Sequence, residues 1–360
     1  MKKIIVMIMV VLSGTSFGAT TSLDSLKYVN ADEFPLLGKG FEDTQARYQR
    51  LPASLEGVTR SPVWSLSQNC SGLAIRFRTN STAIAANWEV TGDVVMNHFT
   101  MTGIKGLDLY CLKDGKWQFV NSGRPTGKAT KAMIIRNMSG EMQEYMLYLP
   151  LYDGLKSLEI GVEPTAAIEQ PQVDSPIKGK PVVFYGTSIT QGGCATRAGM
   201  SYPNLLSRML DKEIINLGFS GNGQLDLEVA EAMAGIDASC FVIDCLPNVN
   251  VAQMNEKYAK FIDLVREKNP DTPILLVETI LFPHMYFDQS VYQLLKDKNE
   301  TLERIYKEQK AKGDDLIFYQ ESDKLIGADQ EATVDGVHLT DLGFVRMAEN
   351  LYPVISTLIR

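Results

Sequence analysis

The chain changes its hydrophobic period near its middle. Between residues 60 and 163 apolar and polar positions alternate in short runs, at 73–79 (Leu-Ala-Ile-Arg-Phe-Arg-Thr), 83–90, 144–151 and 158–162. A period of two marks strands with one buried face. Runs at 109–112 and 117–120 flank Lys113-Asp114-Gly115-Lys116, whose Asp-Gly pair predicts a tight hairpin turn. Strands this short and this closely spaced, with little helical pattern between them, predict an all-β sandwich or jelly roll over residues 19–165. Residues 166–180 carry Pro and polar side chains without a period and read as a linker.

From 181 onward the alternation gives way to mainly apolar runs, at 181–185, 214–217, 240–245, 274–278 and 316–319. Such runs suit strands buried on both faces. Helical periods lie between them. Asn250 is placed to cap a helix with Gln253 as its reciprocal partner, and Val251, Met254, Tyr258, Phe261 and Val265 share its apolar face. A second helix is expected over 289–312 and a last one after Thr340. Five βα units in succession predict an α/β domain over 181–360, a parallel sheet with helices on both faces. Chemistry in such sheets sits outside the carboxyl ends of the strands.

The first residues break both patterns. Met1-Lys2-Lys3 is followed by nine apolar residues, 4–12, and then by Ser13, Gly14, Ser16, Gly18 and Ala19. Nine residues make about 14 Å of helix, too short for a ~30 Å hydrocarbon layer. The layout predicts a signal peptide over 1–18, with an exported, periplasmic or extracellular product and no membrane anchor.

Composition narrows the chemistry further. A net charge of −8 and a pI of about 5.1 provide no basic footprint for nucleic acid or anionic lipid. The five Cys cannot form a disulfide scaffold, and the expectation is buried thiols; no C-x-x-C or Cys/His cluster in the sequence suggests a zinc site. His98, His284 and His338 are the only imidazoles. Val334-Asp335-Gly336-Val337-His338 places a carboxylate three residues before one of them. On a turn, Asp335 can accept from His338 Nδ1–H and leave Nε2 free as a base. After the first parallel strand comes Gly186-Thr187-Ser188-Ile189-Thr190, a strand-to-helix turn that presents Ser188 at the same rim. Asn216-Leu217-Gly218-Phe219-Ser220-Gly221 and Leu246-Pro247-Asn248 follow the next two strands. A Gly N–H and an Asn amide are the donors an oxyanion needs.

These segments, in this order, resemble the SGNH (GDSL-like) hydrolase superfamily over residues 181–360. The resemblance implies a flavodoxin-like three-layer α/β/α domain with Ser188 as nucleophile and Asp335 and His338 as its partners. It implies an oxyanion hole of Ser188, Gly221 and Asn248, with Gly218 as an alternative register for the glycine. Thr187 replaces the family's usual Asp, and Leu246-Pro247-Asn248-Val249 replaces Gly-x-Asn-Asp. An α/β-hydrolase needs Gly-x-Ser-x-Gly, and position 190 is Thr. Gly106-Leu107-Asp108-Leu109-Tyr110 matches the Gly-x-Asp-Leu-Tyr stretch of a β-sandwich module that precedes some SGNH esterases.

The expectation is a secreted serine esterase that removes a small O-acyl group, acetyl above all, from a carbohydrate or other small-molecule ester, without a metal or organic cofactor. A lysophospholipase or thioesterase on the same machinery is one alternative; a carbohydrate-binding protein with an inactive hydrolase half is another. Trp64, Trp88 and Trp117 are candidates for sugar stacking but read better as core. His98 and His284 lie outside the family's motifs and are expected to be structural.

Overall fold

The computed structural model describes residues 21–359; the expected signal peptide lies outside them. In the first half the strands are β1 (Lys27–Asn30), β2 (Leu36–Leu37), β3 (Ala74–Thr79), β4 (Ile84–Val90), β5 (Leu107–Lys113), β6 (Lys116–Gly123), β7 (Ala129–Ile135), β8 (Gln143–Tyr148), β9 (Leu155–Val162) and β10 (Ile168–Glu169). Two antiparallel sheets face each other, one ordered β1-β9-β4-β7 and the other β10-β3-β8-β5-β6, with β2 added to β3. Phe77, Trp88, Leu109, Leu147 and Ile160 fill the space between them. The Asp114-Gly115 turn closes the β5–β6 hairpin with both residues at positive φ (51° and 73°), the conformation a two-residue hairpin loop needs.

Three features depart from the sequence expectation. The β structure begins before residue 60, at β1 and β2, and includes β7, whose Ala-Thr-Lys-Ala-Met-Ile-Ile sequence alternates poorly. Residues 61–67 form a helix, α1 (Ser61–Ser67), started by Pro62 in its first turn. The segment expected as a plain linker is strapped to the sandwich: β10 pairs with β3, and Gln172 N–H donates to Glu144 Oε1 at 2.8 Å. A short helix, α2 (Met101–Ile104), lies just before β5.

In the second half β11 (Val182–Gly186), β12 (Ile214–Gly218), β13 (Cys240–Asp244), β14 (Ile274–Val277) and β15 (Ile317–Gln320) form one parallel sheet ordered β12-β11-β13-β14-β15. That is the flavodoxin-like order, and its crevice opens where β12 and β13 leave β11 in opposite directions. The helices are α3 (Ser188–Gln191), α4 (Tyr202–Leu210), α5 (Leu227–Met233), α6 (Val251–Lys268), α7 (Gln289–Ala311) and α8 (Asp341–Leu358). The expected Asn250–Gln253 capping box starts α6.

Alternate residues of β11 enter different cores. Val183 and Tyr185 pack with Val229, Tyr258 and Phe261 of α5 and α6. Val182 and Phe184 join Phe344, Met347 and Leu351 of α8 together with Leu37, Tyr110, Tyr148 and Leu151 of the sandwich half. One hydrophobic core therefore crosses from one half to the other. Because packed interiors deform little, this fixes the sandwich's loops over the rim of the parallel sheet.

Candidate active site

The turn after β11 is locked from several directions. Thr187 caps α3 by accepting from Ile189 N–H, while Thr190 Oγ1 accepts from Thr187 N–H, each at 3.2 Å. Thr190 also donates to Asp244 Oδ2 at 3.2 Å, and Tyr202 OH donates to the same oxygen at 2.8 Å. Burial pushes the Asp244 carboxyl up to about 7, against the lowering effect of those two donors. Ser188 opens α3 with little exposure.

Ser188 Oγ lies 2.9 Å from His338 Nε2, and His338 Nδ1 lies 2.7 Å from Asp335 Oδ2. Asp335 Oδ1 accepts from the backbone N–H groups of His338 and Val337 at 2.7 and 3.0 Å. Partial burial raises the Asp335 carboxyl, but the donations from His338 and from these backbone groups outweigh it and hold the acid at about 2. An ionised Asp335 requires the proton on Nδ1, which leaves the Nε2 lone pair toward the serine. The loop is itself closed by Val334 N–H to His338 O at 2.7 Å and Thr340 N–H to Ala332 O at 2.9 Å. Thr340 then caps α8.

The structure brings the expected glycine and asparagine segments to the same rim. Gly223 N–H donates to Asn248 Oδ1 at 3.2 Å. The donor fixes the amide's orientation and leaves its NH2 as the outer end. A side chain at Gly223 would collide with the Gly186 carbonyl at the end of β11, so the second loop can approach the serine turn this closely only with glycine there. Gly218 N–H is consumed by Asn216 Oδ1 at 2.9 Å. Gly221 sits at a turn closed by Asn222 N–H to Phe219 O, at φ +67°, and among the described residues its N–H has no acceptor. Of the two glycine registers, only Gly221 has a donor to spare. The turn carrying Asn248 is held from behind by Lys298 of α7, a buried ammonium that donates to the carbonyls of Leu246 and Pro247 at 3.0 and 3.3 Å. No sequence signal pointed to it, since a lysine inside an amphipathic helix reads as solvated.

The sandwich half supplies the wall that the sequence did not reveal. Tyr152 OH donates to Ser188 O at 3.1 Å, and burial raises its phenol well above the ordinary value, so it stays a neutral donor. Phe99 packs edge-on to Tyr152, with ring centroids 5.0 Å apart. His98, expected to be structural, lies at the site instead: its ring is 5.6 Å from that of His338 and its Nε2 is 4.0 Å from Asp335 Oδ2. His284 stacks on Phe282 and abuts Gly336 of the 335–338 loop.

The Gly-x-Asp-Leu-Tyr stretch explains how the halves are joined. A side chain at Gly106 would meet the Thr102 carbonyl at 2.5 Å, so α2 and β5 can connect this tightly only through glycine. Asp108, fully buried, accepts from Arg197 Nη1 at 2.7 Å, Gly199 N–H at 2.9 Å and Ser122 Oγ at 2.6 Å. Arg197 also donates to Tyr110 OH at 2.5 Å. The motif thus grips the loop that runs on from α3. The three Trp are taken up by packing. Trp88 is core, Trp64 packs against the cluster around α5 and α6, and Trp117 donates to Ser175 Oγ at 3.0 Å beneath the Arg76 guanidinium. All five Cys are unpaired thiols; only Cys111 is not fully buried.

Comparison with known proteins agrees with both halves. Residues 179–356 match the GDSL-like lipase/acylhydrolase family, and residues 26–168 match the GxDLY N-terminus of SGNH-hydrolase-type esterases. Among solved structures, a GDSL-like lipase from Bacteroides ovatus is 39% identical, with 93% of this chain and 98% of that chain covered and a TM-score of 0.88. A salicylyl-acyltransferase from a tetracycline biosynthetic pathway is 16% identical over 93% and 99% of the two chains, with a TM-score of 0.74. A family two carbohydrate esterase from Clostridium thermocellum, solved with cellohexaose, is 13% identical over 80% and 92%, with a TM-score of 0.57. The last two show a shared fold. No curated protein matches the chain.

Proposed function

The chain belongs to the GDSL-like lipase/acylhydrolase family and is a carboxylic ester hydrolase, and from that premise we propose that it is a serine esterase acting on a small O-acyl ester, acetyl above all, carried by a carbohydrate. His338 Nε2 takes the proton of Ser188 as Oγ attacks the ester carbonyl, then returns it to the leaving alcohol. Asp335 holds the tautomer and stabilises the imidazolium. The N–H groups of Ser188 and Gly221 and the NH2 of Asn248 receive the negative charge of the tetrahedral intermediate. Water, activated by the same imidazole, releases the acyl group from the serine.

The observation that carries this reading is the unbroken hydrogen-bond chain Asp335–His338–Ser188, at 2.7 and 2.9 Å. The fold shared with a carbohydrate esterase that binds cellohexaose supports a sugar as the alcohol. The test is a screen of acetylated xylan, mannan, pectin and sialic acid for released acetate. Release from none of them, with p-nitrophenyl acetate still cleaved, would remove the carbohydrate from the proposal and leave the esterase.

One observation favours a larger acyl group. Tyr286 and Phe287, 54% and 90% exposed, lie on the turn whose His284 abuts Gly336 beside the triad loop. Exposed aromatics on a turn that touches the loop carrying His338 suit an apolar chain. If p-nitrophenyl octanoate has a higher kcat/KM than the acetate, the lysophospholipase or thioesterase reading replaces the acetyl one. Export rests on the leader pattern of residues 1–18. A mature protein recovered from outside the cytoplasm and beginning at or next to Ala19 is the expected result.

A further inference from the structure

Although the sequence holds no Cys/His cluster, the fold assembles one. His98 from the sandwich half, Cys194 from the loop after α3 and His338 from the loop before α8 each bring a ligand atom within 4.8 Å of the others. A tetrahedral zinc site with Zn–N of about 2.0 Å and Zn–S of about 2.3 Å has ligand–ligand edges of roughly 3.3–3.8 Å. A contraction of about 1 Å, or a little more at the longest edge, would therefore close it.

Both imidazoles are oriented as zinc ligands are. A ligating histidine usually donates its second ring N–H to a carboxylate or carbonyl, which turns the other nitrogen's lone pair toward the metal. His338 Nδ1 faces Asp335 Oδ2 at 2.7 Å, and His98 Nδ1 faces Asn97 Oδ1 at 2.9 Å. In the neutral ring with the proton on Nδ1, each Nε2 presents a lone pair. His98 Nε2 lies 4.0 Å from Asp335 Oδ2. Cys194 supplies the soft ligand. Its backbone is held at φ +74°, a conformation that only glycine adopts freely, and its side chain is buried beside the two rings.

We propose that His98, Cys194 and His338 form a three-ligand Zn²⁺ site over the nucleophile, and that Zn²⁺ is a reversible inhibitor of the esterase. Binding forms one Zn–S and two Zn–N bonds, and the thiol proton leaves to solvent. The His338 Nε2 lone pair moves from the Ser188 hydroxyl to the metal, so the base is occupied while zinc is bound. Because His98 belongs to the sandwich half, the ion also ties the two halves together across the site. The inhibition rests on the role proposed above for His338; the binding does not.

The test uses the whole protein dialysed against a chelator. Calorimetric titration with ZnCl2 is expected to show one equivalent bound, with esterase activity falling in step with occupancy and returning on addition of EDTA. Cys194→Ser should keep the basal activity, and both it and His98→Gln should weaken zinc binding by at least about tenfold. Co²⁺ as a probe should give a thiolate-to-metal absorption band with the native protein and none with Cys194→Ser. Ser188→Ala separates the two claims: inactive but still binding one zinc, it upholds the site and the nucleophile together. If that variant still hydrolyses ester while binding one zinc, the catalytic reading fails and the metal site stands. Zinc binding that is absent from the native protein, or equally tight in Cys194→Ser and His98→Gln, overturns the proposal.

Discussion

Asp335 and Asp244 lie on opposite sides of the turn that carries Ser188, and the same side chain is driven in opposite directions. Asp335, on the open side, receives three N–H donors from its own loop and is held at about 2. Asp244, behind the turn, has two hydroxyl donors, is almost wholly buried, and is pushed up to about 7. Donors outweigh desolvation where the group is partly solvated; desolvation wins where it is sealed. The front of the turn is thus built to keep a charge that orients an imidazole. The back holds a backbone bend in place through a carboxyl that is largely neutral below pH 7. Catalytic cost should concentrate at the front.

The largest effect is expected from Ser188→Ala. It should lower kcat by about 10⁴-fold or more, because the acyl-enzyme cannot form, while the melting temperature stays near that of the native protein. If the variant retained more than roughly a tenth of native kcat, the nucleophile would lie elsewhere. Ser220, on the neighbouring loop, would be the next candidate.

Asp335→Asn should come second, at about 10²- to 10⁴-fold in kcat, since the amide can no longer fix the His338 tautomer. A loss below about tenfold would break the contrast between the two carboxylates. It would mean that backbone contacts of the 332–340 loop alone keep His338 aimed at Ser188. Acid should reveal the same group in the stability. The folded-state acid lies at about 2, below the ordinary value of 3.8. Asp335 therefore stabilises the native state above about pH 4, and that contribution is lost as the pH falls through about 2.

Asn248→Ala should cost about 10²-fold in kcat, near 2.7 kcal/mol, with KM barely changed, because an oxyanion donor acts mainly in the transition state. A raised KM at constant kcat would place the Asn248 amide on the bound substrate instead.

How much of this was legible in the sequence follows from how local each feature is. Asp335 and His338 share one turn, Ser188 sits at one strand end, and the mainly apolar runs announce a parallel sheet; all of that is short-range pattern. Gly221 and Asn248 needed the order of the motifs as well. Gly218 could be set aside only after its N–H was seen bonded to Asn216. Tyr152, Phe99 and His98 reach the site because a core shared by both halves fixes sandwich loops over the rim. Nothing in their local sequence encodes that. Lys298 and Cys194 stayed hidden for the same reason: a helix lysine and a lone loop cysteine acquire partners only when distant segments meet. Asp108 and Tyr110 could be recognised as a motif, but their grip on Arg197 and Gly199 is a property of the assembled halves.

The smallest catalytic effect is expected behind the turn, and there the comparison can be sharpened most. Asp244→Asn keeps an oxygen to accept from Tyr202 and Thr190, so the turn should hold its shape and kcat should stay near the native value. Stability should change in a pH-dependent way. A carboxyl whose folded-state pKa is raised from 3.8 to about 7 carries an extra proton in the native state between those values. Its contribution to stability is therefore complete below about pH 4, declines as the pH rises through about 7, and is level above that. The slope is opposite in sign to that of Asp335. The amide that replaces the Asp244 carboxyl in the variant carries no charge at any of these pH values. Its melting temperature should gain on that of the native protein steadily from pH 4 to pH 7 and keep the same lead beyond. Parallel melting curves for the two proteins across that range would show that Asp244 is no harder to ionise than a surface acid, and the contrast between the two sides of the turn would be lost.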